Sequence, residues 1–178
     1  MAAPDLDDWL PDAQVRSSHR RTSSAEPGDL WRAAREIRLD ETRTLGRLVR
    51  WRIPETPADL RFTDLLARYP FAVLEEGAGW SVSGLCGPIW TRARDYGRID
   101  AAAFRSWSRP GTVRVLFGHW VEDAEPRSAL VSEARVAPTD RFARMQLRAL
   151  WMFVSRFERV IGAEPLPLAV TRAESVSS

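Results

Sequence analysis

Lysine is missing from this chain; all 26 basic residues are arginine. That excludes Schiff-base and lysine-nucleophile chemistry, and the Gly-rich phosphate loop that ends in lysine. Cysteine occurs once, at Cys86, so no disulfide can form within the chain. Cys86 stands beside Gly87-Pro88 with no histidine at a suggestive spacing, which reads as a buried, inert thiol. His19 and His119 are the only histidines, too few with one cysteine for a structural zinc site, and no metal or other cofactor is expected. No serine sits in a nucleophile-elbow context. Glu75 and Glu76 are adjacent, so on a strand they face opposite sides, a poor arrangement for paired-carboxylate catalysis. No apolar run approaches the roughly 20 residues that span a bilayer. The opening Met-Ala-Ala-Pro-Asp-Leu-Asp-Asp lacks the apolar core of an export signal, so a cytoplasmic location without a membrane span is expected. The net charge is only +2 and the arginines alternate with acids, which argues against nucleic-acid binding.

What is present suits one domain. Hydrophobic residues make up 44% of the chain and charged residues 28%, enough for a buried core under a solvated surface. The expected organisation is a flexible lead-in over 1–13, one domain over 14–174 and a loose tail over 175–178, with fraying from 173. A polar strand is predicted over 15–25, with His19 exposed on it. A helix then starts after Pro27-Gly28, with Asp29 as its N-cap, and a second covers 44–51 until Pro54 and Pro57 stop it. A short helical turn holds Phe62, Leu65 and Leu66. Strands are predicted over 71–76, 80–85, 89–94 and 103–108. The strongest strand is 112–121, apolar on both faces and therefore central, with 128–137 as its antiparallel partner. Pro138-Thr139-Asp140 opens a helix of about 22 residues. Phe142, Met145, Ala149, Leu150, Phe153, Val154 and Phe157 give it an apolar face wider than one sheet contact needs, so a sheet curled around it is expected. Gly162, Pro165 and Pro167 are read as its end.

Three stretches carry a family resemblance. Glu26-Pro-Gly-Asp-Leu-Trp-Arg-Ala-Ala looks like the start of a first helix after strand one. Gly84-Leu-Cys-Gly-Pro-Ile-Trp is similar to a glycine-punctuated segment in the middle of a sheet. Leu130-Val-Ser-Glu-Ala-Arg-Val-Ala-Pro-Thr-Asp precedes the long helix with Trp151. With this element order, the chain resembles the START-like superfamily (SRPBCC), which includes Bet v 1-like proteins and bacterial polyketide cyclase/dehydratase-like proteins. The resemblance covers about 14–174. It implies an α+β helix-grip fold: a curved antiparallel sheet wrapped around a long C-terminal helix, with two short helices after the first strand. It also implies a cavity between sheet and helix that takes apolar molecules. The superfamily includes enzymes, carriers and regulators, so fold does not choose among them.

An apolar or aromatic small molecule is therefore the expected partner. Trp90 and Trp107, with Phe117, Met145 and Phe153, are candidate walls for it, since aromatic rings make broad rigid surfaces. Trp120 and Trp151 also fall on the predicted sheet and closing helix. His119, between Phe117 and Val121, is a candidate hydrogen-bond donor or general acid/base. Glu133 and Arg135 point the same way along their strand. Facing inward they would orient a polar ligand end; facing outward they are a surface pair worth under about 1 kcal/mol. A cyclase-like enzyme would use His119, Glu133, Arg135 or a tyrosine, and would need at least two of them to converge on one pocket. A non-catalytic interaction module would instead show a contiguous exposed apolar patch. Asp95 and Tyr96 are candidates for a cavity rim. The sequence carries no signal of oligomeric state.

Overall fold

The computed structural model describes the backbone of residues 3–91, 93 and 95–176, and their side chains except at 153–162. The elements in order are α1 (Leu6–Trp9), β1 (Val15–Ser23), α2 (Pro27–Arg35), a 3-10 turn (Leu39–Glu41), α3 (Leu45–Arg52) and α4 (Phe62–Leu66). Then come β2 (Ala72–Gly77), β3 (Trp80–Gly87), α5 (Ala101–Ser106), β4 (Val113–Asp123), β5 (Ser128–Pro138), α6 (Arg141–Ala163) and α7 (Pro165–Val176). The strands form one antiparallel sheet in the order β1-β5-β4-β3-β2. β4 is central, as its two bulky faces require. The architecture is α+β with a long helix against the sheet, the helix-grip arrangement. Among the described residues no helix is long and apolar enough to cross a membrane.

α6 starts where the sequence places it. The Asp140 carboxylate accepts the Ala143 amide at 2.7 Å and the Gly111 amide at 2.7 Å, and these bonds hold its pKa below the usual value. Gly111 turns there at φ 71°, a left-handed conformation that favours glycine.

The sheet has a layer on each face. On one face, α6 and α7 lie along β1 and β5, with α2 beside α7. On the other face α1 and α5 pack onto Val82, Cys86, Leu116 and Val131. Glycines seat those two helices: a Cβ on Gly118 would meet Leu6 at 2.8 Å, and one on Gly84 would meet Phe104 at 2.7 Å. This second layer corrects the expected loose lead-in. Asp5 caps α1 by accepting the Asp7 amide at 2.9 Å, and Leu6, Trp9 and Leu10 are buried.

Other expectations are corrected too. No strand occurs among the described residues of 88–100; the chain turns at Ile89-Trp90, and Arg92 and Arg94 lie outside the described residues. Residues 101–106 are helical because Asp100 accepts the Ala103 amide at 2.8 Å and alanine favours helix. Asp29 is not an N-cap: Pro27 occupies the first turn after Glu26, and Asp29 pairs with Arg32 at 2.9 Å. Pro165 does not end helical structure but begins α7, which runs through Ala173 and Glu174. Finally, the described side chains of α6 are covered on one side only. Ala143 and Leu147 are buried, whereas Phe142 (54%), Met145 (60%) and Met152 (70%) are exposed. The expected contributions of Phe153, Val154 and Phe157 to its apolar face lie outside the described side chains.

Candidate functional site

Among the described side chains, the helix-covered face of the sheet carries two apolar clusters. One unites Leu30, Trp31, Val121, Leu130 and Leu166; the other unites Val15, Leu85, Val115, Val136 and Leu147. Members of both wall a cavity of about 360 Å³, within the size range of small-molecule sites. β1, β4 and β5 form its floor. Its roof comes from α2, α3, α4, Trp151 of α6, and Pro165 and Leu166 of α7. Leu48 lines it while 37% exposed, so the cavity reaches solvent beside α3. α3 is tied to the junction of α6 and α7: the Glu164 carboxylate accepts the amides of Arg43 at 2.5 Å, Thr44 at 3.0 Å and Leu45 at 2.8 Å. Those amides open α3 and have no partner within the helix itself.

The floor is apolar apart from one row and the neighbouring Ser17. Strand register puts His19 opposite Ser132 and Ser132 opposite His119, and all three line the cavity. Directly opposed side chains on a sheet stand about 5 Å apart at Cβ. His19 Nε2 lies 3.3 Å from Ser17 Oγ, which also lines the cavity. The His119 ring stands edge-on to Phe62, with centroids 5.3 Å apart. No described side chain hydrogen-bonds His119, which lines the cavity. Burial pushes its pKa down to about 4, with no acid nearby to offset it. At neutral pH it is an uncharged imidazole, able to donate one hydrogen bond and accept another. It is a weak base for proton abstraction, which works best with a pKa near the working pH.

Phe117 and His119 are therefore brought together here, with Trp151 and with His19, which was expected to be exposed. The other candidates lie elsewhere. Trp90 is half-buried against the second cluster but does not line the cavity. Trp107 is on the opposite face of the sheet, where its indole donates to Thr112 Oγ1 at 2.9 Å. Met145 points to solvent, and Phe153 lies outside the described side chains. Glu133 and Arg135 are also on the face away from the cavity, because Ser132, Ala134 and Val136 take the inner positions. There Arg135 Nε donates to Glu133 at 2.6 Å and its Nη1 to Asp7 at 2.6 Å, locking α1 to the sheet. The Arg135 contact holds the Asp7 carboxyl below its usual pKa. His119 and the Glu133–Arg135 pair thus sit on opposite faces, and the convergence a cyclase-like site needs does not occur with them. Among the described residues no cluster of acids, histidines and cysteine could hold a metal ion.

Sequence reasoning missed Arg52, a lining residue; Tyr96, one of the two rim candidates, accepts from Arg52 through its hydroxyl at 2.5 Å. Tyr96 helps line a second pocket of about 300 Å³ on the other side of Ile53, with Glu55 and Arg68. Asp95, the other rim candidate, is ion-paired to Arg109, which lowers its pKa.

No protein-family model matches the chain, and no curated protein matches it. Solved structures with a similar arrangement include a hypothetical protein of Helicobacter pylori. It is 7% identical, with a TM-score of 0.41 over 97% of this chain and 96% of that one. The ZhuI aromatase/cyclase of Streptomyces sp. R1128 is 18% identical, with a TM-score of 0.31 over 92% and 96%. Ara h 8.0201 is 13% identical, with a TM-score of 0.26 over 83% and 95%. Likenesses this distant carry no argument about activity. The helix-grip assignment rests on the strand order and on the helix placement described above.

Proposed function

We propose that this chain is a small-molecule binding protein of the START-like kind, taking an apolar or aromatic ligand into the cavity over β1, β5 and β4. One observation carries the reading. Among the described residues, members of two hydrophobic clusters wall about 360 Å³, with the His19–Ser132–His119 row on the floor between apolar walls. An apolar void of that size forfeits packing energy that a simple core would keep. Ligand sites combine such walls with a few polar groups that fix orientation. A His–Ser–His row suits a ligand carbonyl or hydroxyl, because a serine hydroxyl and an uncharged imidazole such as His119 can each donate or accept.

Native mass spectrometry and titration with a fluorescent apolar probe test this. The expected results are a retained or added ligand at one per chain, and saturable probe binding that His119→Trp weakens by narrowing the cavity. An unliganded mass together with no saturable binding overturns the reading.

A further inference from the structure

We infer that the ligand of this cavity is an amphipathic carboxylate, its apolar body inside and its carboxylate held by Arg52 at the mouth. This rests on the ligand-binding reading above and narrows it to a chemical class. Arg52, the last residue of α3, is the one permanently charged side chain among the described residues that line the cavity, and no carboxylate is among those described residues.

Its surroundings hold the guanidinium without neutralising it. Nη2 donates to the Thr91 carbonyl at 2.6 Å and to the Tyr96 hydroxyl at 2.5 Å. The guanidinium also lies over the Tyr96 ring, 5.4 Å from its centroid. All three contacts are with neutral groups. Nε and Nη1 hydrogen-bond no described residue, so part of the planar donor fork is unspent. Two other withdrawn arginines are matched with acid. Arg135 meets Glu133 and Asp7, and Arg172 meets Glu41 at 2.5 Å. A charge beside an apolar cavity is costly without a counter-ion, and the counter-ion that a guanidinium fork fits best is a carboxylate or phosphate. The other polar side chains among the described lining residues, Ser17, His19, Ser132 and His119, with Thr63 already bonded to the Arg35 carbonyl, are single donors or acceptors rather than a phosphate cradle. The floor and walls otherwise ask for hydrocarbon or aromatic surface. A carboxylate on an apolar body satisfies both demands.

The test compares decanoate with decanol, which share a chain length and differ in charge. Binding to the purified full chain is read by displacement of a fluorescent apolar probe, at low and at high salt. The inference expects decanoate to bind at least as tightly as decanol, and salt to weaken only decanoate. Arg52→Gln should weaken decanoate roughly tenfold or more while leaving decanol unchanged, the loss expected for a charge-assisted hydrogen bond. Arg52→Lys should recover part of that loss, since it restores charge without the fork. Decanol binding more tightly than decanoate to the unaltered protein, with no salt effect on either, overturns the inference and leaves the ligand-binding reading standing. Equal weakening of both ligands by Arg52→Gln overturns it in the same way. If neither compound displaces the probe because no probe binds, the ligand-binding reading itself falls.

Discussion

His119 looks into an apolar cavity with no acid beside it, and its burial therefore reaches into the stability of the whole chain. In the unfolded state its pKa sits near 6.5; in the fold it is about 4. Between those values the unfolded chain binds a proton that the folded chain refuses, so stability falls as pH drops through this window. Above it the effect is fully present as stability, and below about 4 it is spent. A shift of this size corresponds to at most about 3 kcal/mol, less whatever cavity water recovers by solvating the ring. Urea unfolding of the parent and of His119→Gln, at pH 7 and again near pH 4.5, should show the parent losing more. Parallel losses would mean that the ring is as well solvated in the fold as outside it. Cys86 illustrates the same physics without consequence: burial pushes its thiol up to about 12, so it stays protonated, in keeping with the inert thiol expected from its neighbours.

At the scale of elements, the short helix α1 and the long helix α6 invert what hydrophobicity along the chain suggests. Leu10, at the end of four helical residues in an acidic segment, is fully buried. Leu10→Ala should cost about 2–5 kcal/mol in chemical denaturation. Met145 sits on the apolar face expected of the long helix and is 60% exposed, so Met145→Gln should change stability by no more than about 0.5 kcal/mol. If Met145→Gln proves the more damaging, the outer side of α6 is covered by something in solution. The strands of the sheet and the span of α6 were legible because period-two alternation and a capped 3.6-residue repeat extend over many residues. α1 and α5 were not, since four to six residues are too few to show a period and their Asp caps resemble loop residues. α7 was missed because proline both ends helices and starts them, and only the path of the chain decides which. The polar row on the floor was hidden for another reason. His19, Ser132 and His119 meet through pairing between strands far apart in sequence, which no local pattern records. Phe117 and His119 could be singled out because their strand is unambiguous. The orientation of Glu133 and Arg135 depends on which face carries the cavity, and their face of β5 also holds Val131 and Ala137, which are buried under the second layer.

For the molecule as a whole, the cavity sets a trade between stability and binding that can be measured at one position. Ala134 lines the floor beside Ser132 and pairs in register with Phe117, so a larger side chain there projects into the void rather than into a packed wall. Ala134→Leu adds three carbon atoms to an apolar space. At about 0.8 kcal/mol for each buried carbon it can stabilise the ligand-free protein by up to roughly 2 kcal/mol. The same atoms occupy volume that a ligand needs. In the parent, an apolar ligand should raise the melting temperature with concentration, because it binds the folded state alone. In Ala134→Leu the ligand-free melting temperature should rise and the ligand-induced increment should shrink. Both changes follow only if the space above Ala134 is empty in the free protein and filled in the complex. A variant that melts earlier and still responds fully to ligand would show that position 134 already touches a wall, with the binding space lying elsewhere.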